Sequence, residues 1–328
     1  MAPHAVVFLV LCAIFLLLSG PATAQPAKKA PRIGYLSSLP LSGDSIRNEA
    51  FRQGLKELGY FEGKNTVIKY EFAEGKLDRL PALAKELLRR EVDLIVAGGS
   101  TATRAAKHAT TLTPIVMINV SDPVALGLVA SLARPGTNIT GLTNLAPEIG
   151  GKRLELLKEV VPHLSRVAVL GDPNSPAYGP QLKAVQAAAK ALGLQLQSVE
   201  LRGSGDLDSA FSLVLKERAG ALIGLQQPTI DIVRERIMEL ATKNRLPVMY
   251  PNRENVEAGG LMSYTADIAA MFRRAAFYVD KIIKGAKPAD LPVEQPTRFE
   301  LVINLTTARQ IGLTFPQSVL FRADKVIK

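Results

Sequence analysis

Between Gly98 and Ala106 the chain reads GGSTATRAA, directly after the apolar run Val92–Ala97. Two glycines and two hydroxyls, Ser100 and Thr101, stand where a strand would hand over to a helix. Three chemistries suit that arrangement. A serine on a sharp strand-to-helix turn presents a nucleophile in α/β hydrolases. Free backbone N–H groups at a helix start hold an anion. Ser or Thr at that position also caps a helix in any protein. The catalytic option lacks its partners. Gly98–Ala102 falls one residue short of G-x-S-x-G, and an acid followed by a histidine should come after the serine. His163 follows, but in the Val161-Pro-His-Leu linker, a poor place for a general base. His4, His108 and His163 have no carboxylate or second histidine at metal-ligand spacing. There is no G-x-x-x-x-G-K-[ST] phosphate loop, and no G-x-G-x-x-G follows the first strand. The expectation is a protein with no catalytic residue, no metal site and no cofactor.

The elements that must position such residues alternate along the chain. Strand-like runs occur at Arg32–Leu36, Thr66–Phe72, Val92–Ala97 and Pro114–Val120, with helical periodicity at Ser45–Leu58, Leu77–Arg90 and Thr101–Thr110. The pattern then repeats. Strands are expected at Arg166–Leu170, Gln195–Leu201, Ala221–Leu225 and Pro247–Tyr250, and helices at Gly179–Leu192, Leu207–Arg218 and Ile230–Asn244. Alternation at this spacing means βαβ units, hence an α/β fold of two doubly wound parallel-sheet domains. The remainder is too short for a third core: a strand at Gly260–Tyr264, an amphipathic helix at Ile268–Lys284, a connector at Ala286–Pro296, a strand at Arg298–Ile303 and a helix at Thr306–Ile311. It is expected to complete both domains by crossing between them, giving one lobe of residues 31–143 plus 265–296 and another of 144–264 plus 297–328. Hinges are expected at Gly141–Pro147, Tyr264–Asp267 and Pro292–Arg298.

In open α/β sheets ligands bind beyond the carboxyl ends of the strands. In the first half those places hold Ser37, Ser38, Gly99, Ser100, Thr101, Asn119, Ser121 and Asp122. In the second they hold Asp172, Asn174, Ser175, Gln226, Gln227 and Tyr250. Nearly all are small or uncharged hydrogen-bonding residues, the lining expected of a pocket that fixes a small polar ligand. Tyr178, Tyr250 and Tyr264 read equally as an aromatic wall or as core.

Compartment is read from the N-terminus. Residues 5–18, AVVFLVLCAIFLLL, are uncharged and apolar, and Ala22-Thr23-Ala24 is a small-residue cleavage pattern. A signal peptide of residues 1–24, cleaved after Ala24, is expected, placing the mature chain in a periplasm. The single cysteine, Cys12, lies within that run, preceded by Leu11 where a lipoprotein signal needs a small residue. The net charge is +10, but Lys and Arg are dispersed and aromatics are only 5%. A basic stripe with stacking aromatics is missing, which argues against a nucleic-acid partner. A monomer is expected.

The segments GGSTAT, NVSDPVALGLV, ARPGTNITGLT, DPNSPAY and the ending FELVINLTTARQIGLTFPQSVLFRADKVI carry a resemblance over Arg32–Lys328. In this combination they are similar to the ABC-transporter substrate-binding family related to tryptophan- and tyrosine-binding lipoproteins. The resemblance implies the type I periplasmic-binding-protein fold, close to branched-chain amino-acid binders, and a chain that captures a small solute for a membrane ABC permease. It also implies that Ser100, Thr101 and nearby N–H groups hold a carboxylate, with Asp122 either the partner of an α-amino group or a plain helix cap before Pro123. A soluble ligand-sensing protein of the same fold, docking on a membrane receptor, is the alternative.

Overall fold

A computed structural model of the chain describes residues 30–328. The expected export segment 1–24, with His4, Cys12 and the cleavage point after Ala24, lies outside the described residues. Among the described residues, the first sheet contains β1 (Arg32–Ser37), β2 (Val67–Phe72), β3 (Leu94–Gly98), β4 (Ile115–Val120) and β5 (Ile139–Thr143), in the order β2-β1-β3-β4-β5. Every pairing in it is parallel. Parallel sheets need cover on both faces, which is why β3 and the first four residues of β4, Ile115–Ile118, are apolar. One face packs Ile33, Tyr35 and Val96 against Phe51 and Leu55 of the helix Leu41–Glu57 and Phe272 and Ala275 of the helix Ile268–Ile283. The other packs Leu36, Ile95 and Met117 against Leu87 of the helix Leu80–Arg89 and Ala102 and Ala106 of the helix Gly99–Ala109.

The second sheet begins with β6 (Arg166–Gly171), β7 (Gln195–Glu200), β8 (Ala221–Gly224), β9 (Val248–Tyr250) and β10 (Met262–Ala266). These lie in the order β7-β6-β8-β9-β10, the same order as the first sheet. β11 (Phe299–Asn304) then adds antiparallel to β10, and β12 (Lys325–Ile327) pairs in parallel with β11. Its two faces are covered chiefly by the helices Ala146–Val160 and Tyr178–Ala191 on one side and Leu207–Lys216 and Arg234–Lys243 on the other. The chain is therefore α/β with two parallel-sheet lobes, as the alternation requires.

Some elements differ from their sequence expectation. β5 and the helix Ala146–Val160 fill a stretch read only as a hinge and linker. The pattern hid them because ITGLT is interrupted by hydroxyls and the helix contains the pair Gly150-Gly151. The expected helix Ile230–Asn244 is two helices, Pro228–Ile232 and Arg234–Lys243, broken at Val233. The strand expected at Gly260–Tyr264 runs two residues later.

The chain passes between the sheets three times. It leaves β5 through Asn144 and Leu145 into the helix Ala146–Val160. It returns after β10 through Asp267, whose side chain caps the helix Ile268–Ile283 by accepting the N–H of Ala270. The last passage follows Glu294, bridged to Leu142 of the first sheet, and leads into β11 of the second.

Candidate functional site

In each sheet the strand order reverses beside the first strand, between β1 and β3 and again between β6 and β8. A crevice forms at such a switch point because successive crossovers leave on opposite sides. The two crevices meet across one cavity of about 40 Å³. Ser37, Ser38, Gly99, Ser100, Thr101 and Asn119 line it from the first lobe, and Ser175 and Gln226 from the second. The sequence-derived set is thus largely brought together at one place.

The helix Gly99–Ala109 points its N-terminus here. Gly99 has φ +84, a left-handed turn that lets the chain swing from β3 into the helix. No side chain caps that terminus, so its first-turn N–H groups keep their donors for another acceptor. Ser100 does not cap its own helix. Its Oγ accepts the backbone N–H of Ser121 at 3.1 Å, tying the ends of β3 and β4 together. Thr103 turns its hydroxyl away, donating to the carbonyl of Gly99 at 2.8 Å. Thr101 Oγ1 and Ser38 Oγ are buried and have no hydrogen-bond partner.

Asn119 enters the cavity because β4 is irregular. The β4–β5 register shifts between Met117 and Val120, and Asn119 takes φ +61. Asn tolerates this left-handed conformation better than most residues. Opposite the kink, Gly141 has φ +134, and a Cβ there would lie 2.0 Å from the carbonyl oxygen of Met117, so only glycine fits. Asn144 Nδ2 then fixes the Asn119 side chain by donating to its Oδ1 at 2.7 Å.

From the second lobe Gln226 reaches across. Its backbone is held on both sides by Gln181, whose Oε1 accepts the Gln226 N–H at 2.8 Å and whose Nε2 donates to the Gln226 carbonyl at 3.1 Å. The Gln226 amide Nε2 donates to Asn119 Oδ1 at 3.3 Å and to Asn252 Oδ1 at 3.1 Å. Gln226 Oε1 is buried without a partner.

Charged residues that sequence reasoning missed complete the wall: Asp44 and Arg47 from the helix Leu41–Glu57, and Asp231 from the helix Pro228–Ile232. Asp44 shares a buried helix stripe with Asn48, Phe51 and Leu55. A carboxylate at helical spacing from Phe51 and Leu55 was the available signal. Tyr35 donates its hydroxyl to Asp44 Oδ2 at 2.7 Å. Burial raises the Asp44 pKa, although Arg47 and the Tyr35 hydrogen bond oppose the shift. Arg47 pairs with Asp231 across the lobes at 3.4 Å, and Asn252 Nδ2 donates to the other Asp231 oxygen at 2.6 Å. Burial works to deprotonate Arg47, but the neighbouring carboxylates Asp231, Glu254 and Asp44 hold it protonated. The aromatic residue in the lining is Phe272, which stands at no strand end but in the late helix Ile268–Ile283.

Five residues of the sequence-derived set, Ser121, Asp122, Asp172, Asn174 and Tyr250, do not line this cavity. Asp122 Oδ1 accepts the N–H of Ala125 at 3.0 Å, so it caps the turn that follows β4. The Asn174 N–H is taken by Asp172 Oδ1 at 2.9 Å within the β6 turn. Tyr250 is buried in the second-lobe core, against Gly260. Of the other tyrosines, Tyr178 bonds Ser198 at 3.0 Å and Tyr264 stacks on Phe299. Asp172 and Ser121 stabilise the strand ends, and Gln227 both lines the cavity and joins them there. Asp172 accepts the Thr229 hydroxyl at 2.7 Å, and its N–H donates to Gln227 Oε1 at 2.6 Å. A further buried charge, Arg153, lies in the second lobe, where its guanidinium donates to the carbonyls of Tyr264 at 2.7 Å and Pro251 at 3.1 Å. Burial pushes its pKa down to about 10.

Comparison with known proteins places this geometry in context. The sequence profile of the ABC transporter substrate binding protein family matches residues 38–327. The chain is 24% identical over 290 residues to a tyrosine-binding protein of Clostridioides difficile, covering 88% of this chain and 82% of that one. It is similar to the crystal structure of a conserved domain protein from Vibrio cholerae, with TM-score 0.86 and 28% identity over 91% of this chain and 100% of the other. A Streptococcus pneumoniae ABC domain in complex with L-Trp superposes with TM-score 0.85 and 26% identity, covering 90% and 99% of the two chains.

Proposed function

The chain belongs to the ABC transporter substrate-binding protein family, whose members bind rather than transform, and from that premise we propose that it captures a small amino acid or related carboxylate between its lobes for delivery to an inner-membrane ABC permease. One observation carries the reading. Ser38 Oγ and Thr101 Oγ1 of one lobe and Gln226 Oε1 of the other are buried, unpartnered and gathered round one cavity with an uncapped helix N-terminus. A buried polar group without a partner costs about 1–3 kcal/mol, so a solute that satisfies all three from both sides is favoured only when the lobes are together. The helix terminus and hydroxyls suit a carboxylate. Asp44 and Asp231 against Arg47 leave one formal negative charge in excess on the wall, which suits an ammonium. That role moves from Asp122, which is spent on its turn.

The relatives support the class: one is a tyrosine-binding protein and another holds L-Trp. Export by residues 1–24 with cleavage after Ala24 puts the mature chain in the periplasm, and both cavity walls come from one copy, which supports a monomer. No helix of the described residues is long and apolar enough to cross a membrane. The reading is tested by calorimetric titration of the mature chain with free L-amino acids and their deaminated carboxylates. Saturable one-to-one binding, lost in a Thr101→Val/Gln226→Leu double variant, supports it. Equal binding by the variant overturns it.

A further inference from the structure

A second interlobe chamber, of about 210 Å³, adjoins the first and shares Leu39, Arg47 and Asp231 with it. The Arg47–Asp231 pair therefore stands as a partition between an inner cavity and a larger outer one. Its 3.4 Å separation is loose for a charge-assisted hydrogen bond, which is normally about 2.7–2.9 Å. The outer chamber takes Ile46 from the first lobe and Arg234, Glu254 and Asn255 from the second. Two residues of its lining carry a buried side-chain atom without a partner: Asn255, whose amide Nδ2 is a donor, and Glu254, whose Oε2 is an acceptor. Asn255 as a whole is 1% exposed.

We propose that this chamber is the subsite for the ligand's side chain, and that it selects a tail ending in a carboxamide. The inference rests on the reading that an amino acid is anchored in the inner cavity. Its own support is the chemistry of the outer wall. A cationic tail would answer Glu254 but leave the Asn255 donor unmet and bring a charge beside Arg47 and Arg234. An anionic tail would answer Asn255 but face Glu254, Glu257 and Asp231. A carboxamide presents one acceptor and two donors and satisfies both orphans without adding charge. An indole or phenol would find no aromatic residue in this lining to pack against. Because the wall comes from both lobes, filling the chamber also favours the closed arrangement.

The test is titration of the full mature chain with L-glutamine, L-alanine, L-glutamate, L-lysine and L-tryptophan. L-Glutamine is expected to bind about tenfold or more tighter than each of the others, the worth of one or two hydrogen bonds. Ile46→Trp, at a half-exposed position on the chamber rim, is expected to collapse the glutamine-to-alanine ratio towards one with the thermal midpoint unchanged. Asn255→Ala, checked for folding by its thermal midpoint, is expected to do the same. Equal affinity for glutamine and alanine, or a preference for the charged or indole ligand, overturns the subsite while sparing the anchored amino acid. Binding of none of the five overturns the subsite, and the anchored amino acid falls with it when the other amino acids and the deaminated carboxylates also fail to bind.

Discussion

Gln226 Nε2 donates to Asn119 Oδ1 at 3.3 Å, joining two residues that are 107 positions apart and stand at the ends of strands in different sheets. The bond is direct contact between the lobes over the cavity. It depends on an unusual backbone, since Asn119 reaches the cavity only with φ +61.

That dependence separates two variants. Asn119→Gly keeps access to the left-handed conformation and removes only the side chain. It is expected to change unfolding stability by less than about 1 kcal/mol and to weaken ligand binding about tenfold, because the closed form loses a contact the open form never had. Asn119→Val forces a β-branched residue into the same conformation and is expected to cost about 1–3 kcal/mol of stability. Calorimetric unfolding of the two variants checks this. Equal stability would mean that the kink is not strained.

Ser100 and Thr101 are neighbours with different duties, so they are expected to fail differently. Ser100→Ala leaves the buried N–H of Ser121 without its acceptor and should cost about 1–3 kcal/mol of stability. Thr101→Val preserves shape and removes a hydroxyl that has no partner in the fold. It should leave stability unchanged and reduce affinity for a carboxylate ligand by about 1.5–3 kcal/mol. Unaltered affinity in Thr101→Val would show that this hydroxyl is not a ligand donor.

Except for β5 and β12, the strands and their ends were legible because each signal is local. Val92–Ala97 is apolar throughout, and the glycines and hydroxyls follow at once. Asp44, Arg47, Asp231 and Phe272 were not legible because they approach from helices, and what they face is decided by tertiary packing. Asp122 and Tyr250 show the converse limit. Each stands at a strand end, yet a local cap at Ala125 claims the first and core packing against Gly260 claims the second.

Alkaline stability should follow the tyrosines. Burial, reinforced by a hydrogen bond to Asp280, raises the Tyr60 pKa to about 12. Burial also raises Tyr35 and Tyr250. A folded pKa above the unfolded value of about 10 contributes stability that is complete below that pH and is lost as pH rises through the folded pKa. Arg153 acts in the opposite sense, since its folded pKa is depressed to about 10. It is outnumbered. The thermal midpoint is therefore expected to fall between about pH 10 and 12, and Tyr60→Phe to fall less steeply across that window. A midpoint that rises there would mean that Arg153 dominates.

The most direct test is a thermal-shift titration of the mature chain against free amino acids and small carboxylates, run in parallel on Thr101→Val/Gln226→Leu. A ligand held in this cavity at a hundred times its dissociation constant should add about 2.7 kcal/mol to the folded state. At least one solute is expected to raise the wild-type midpoint in a saturable manner and to leave that of the double variant unchanged. A solute that stabilises both proteins equally, or a full panel that stabilises neither, would contradict it.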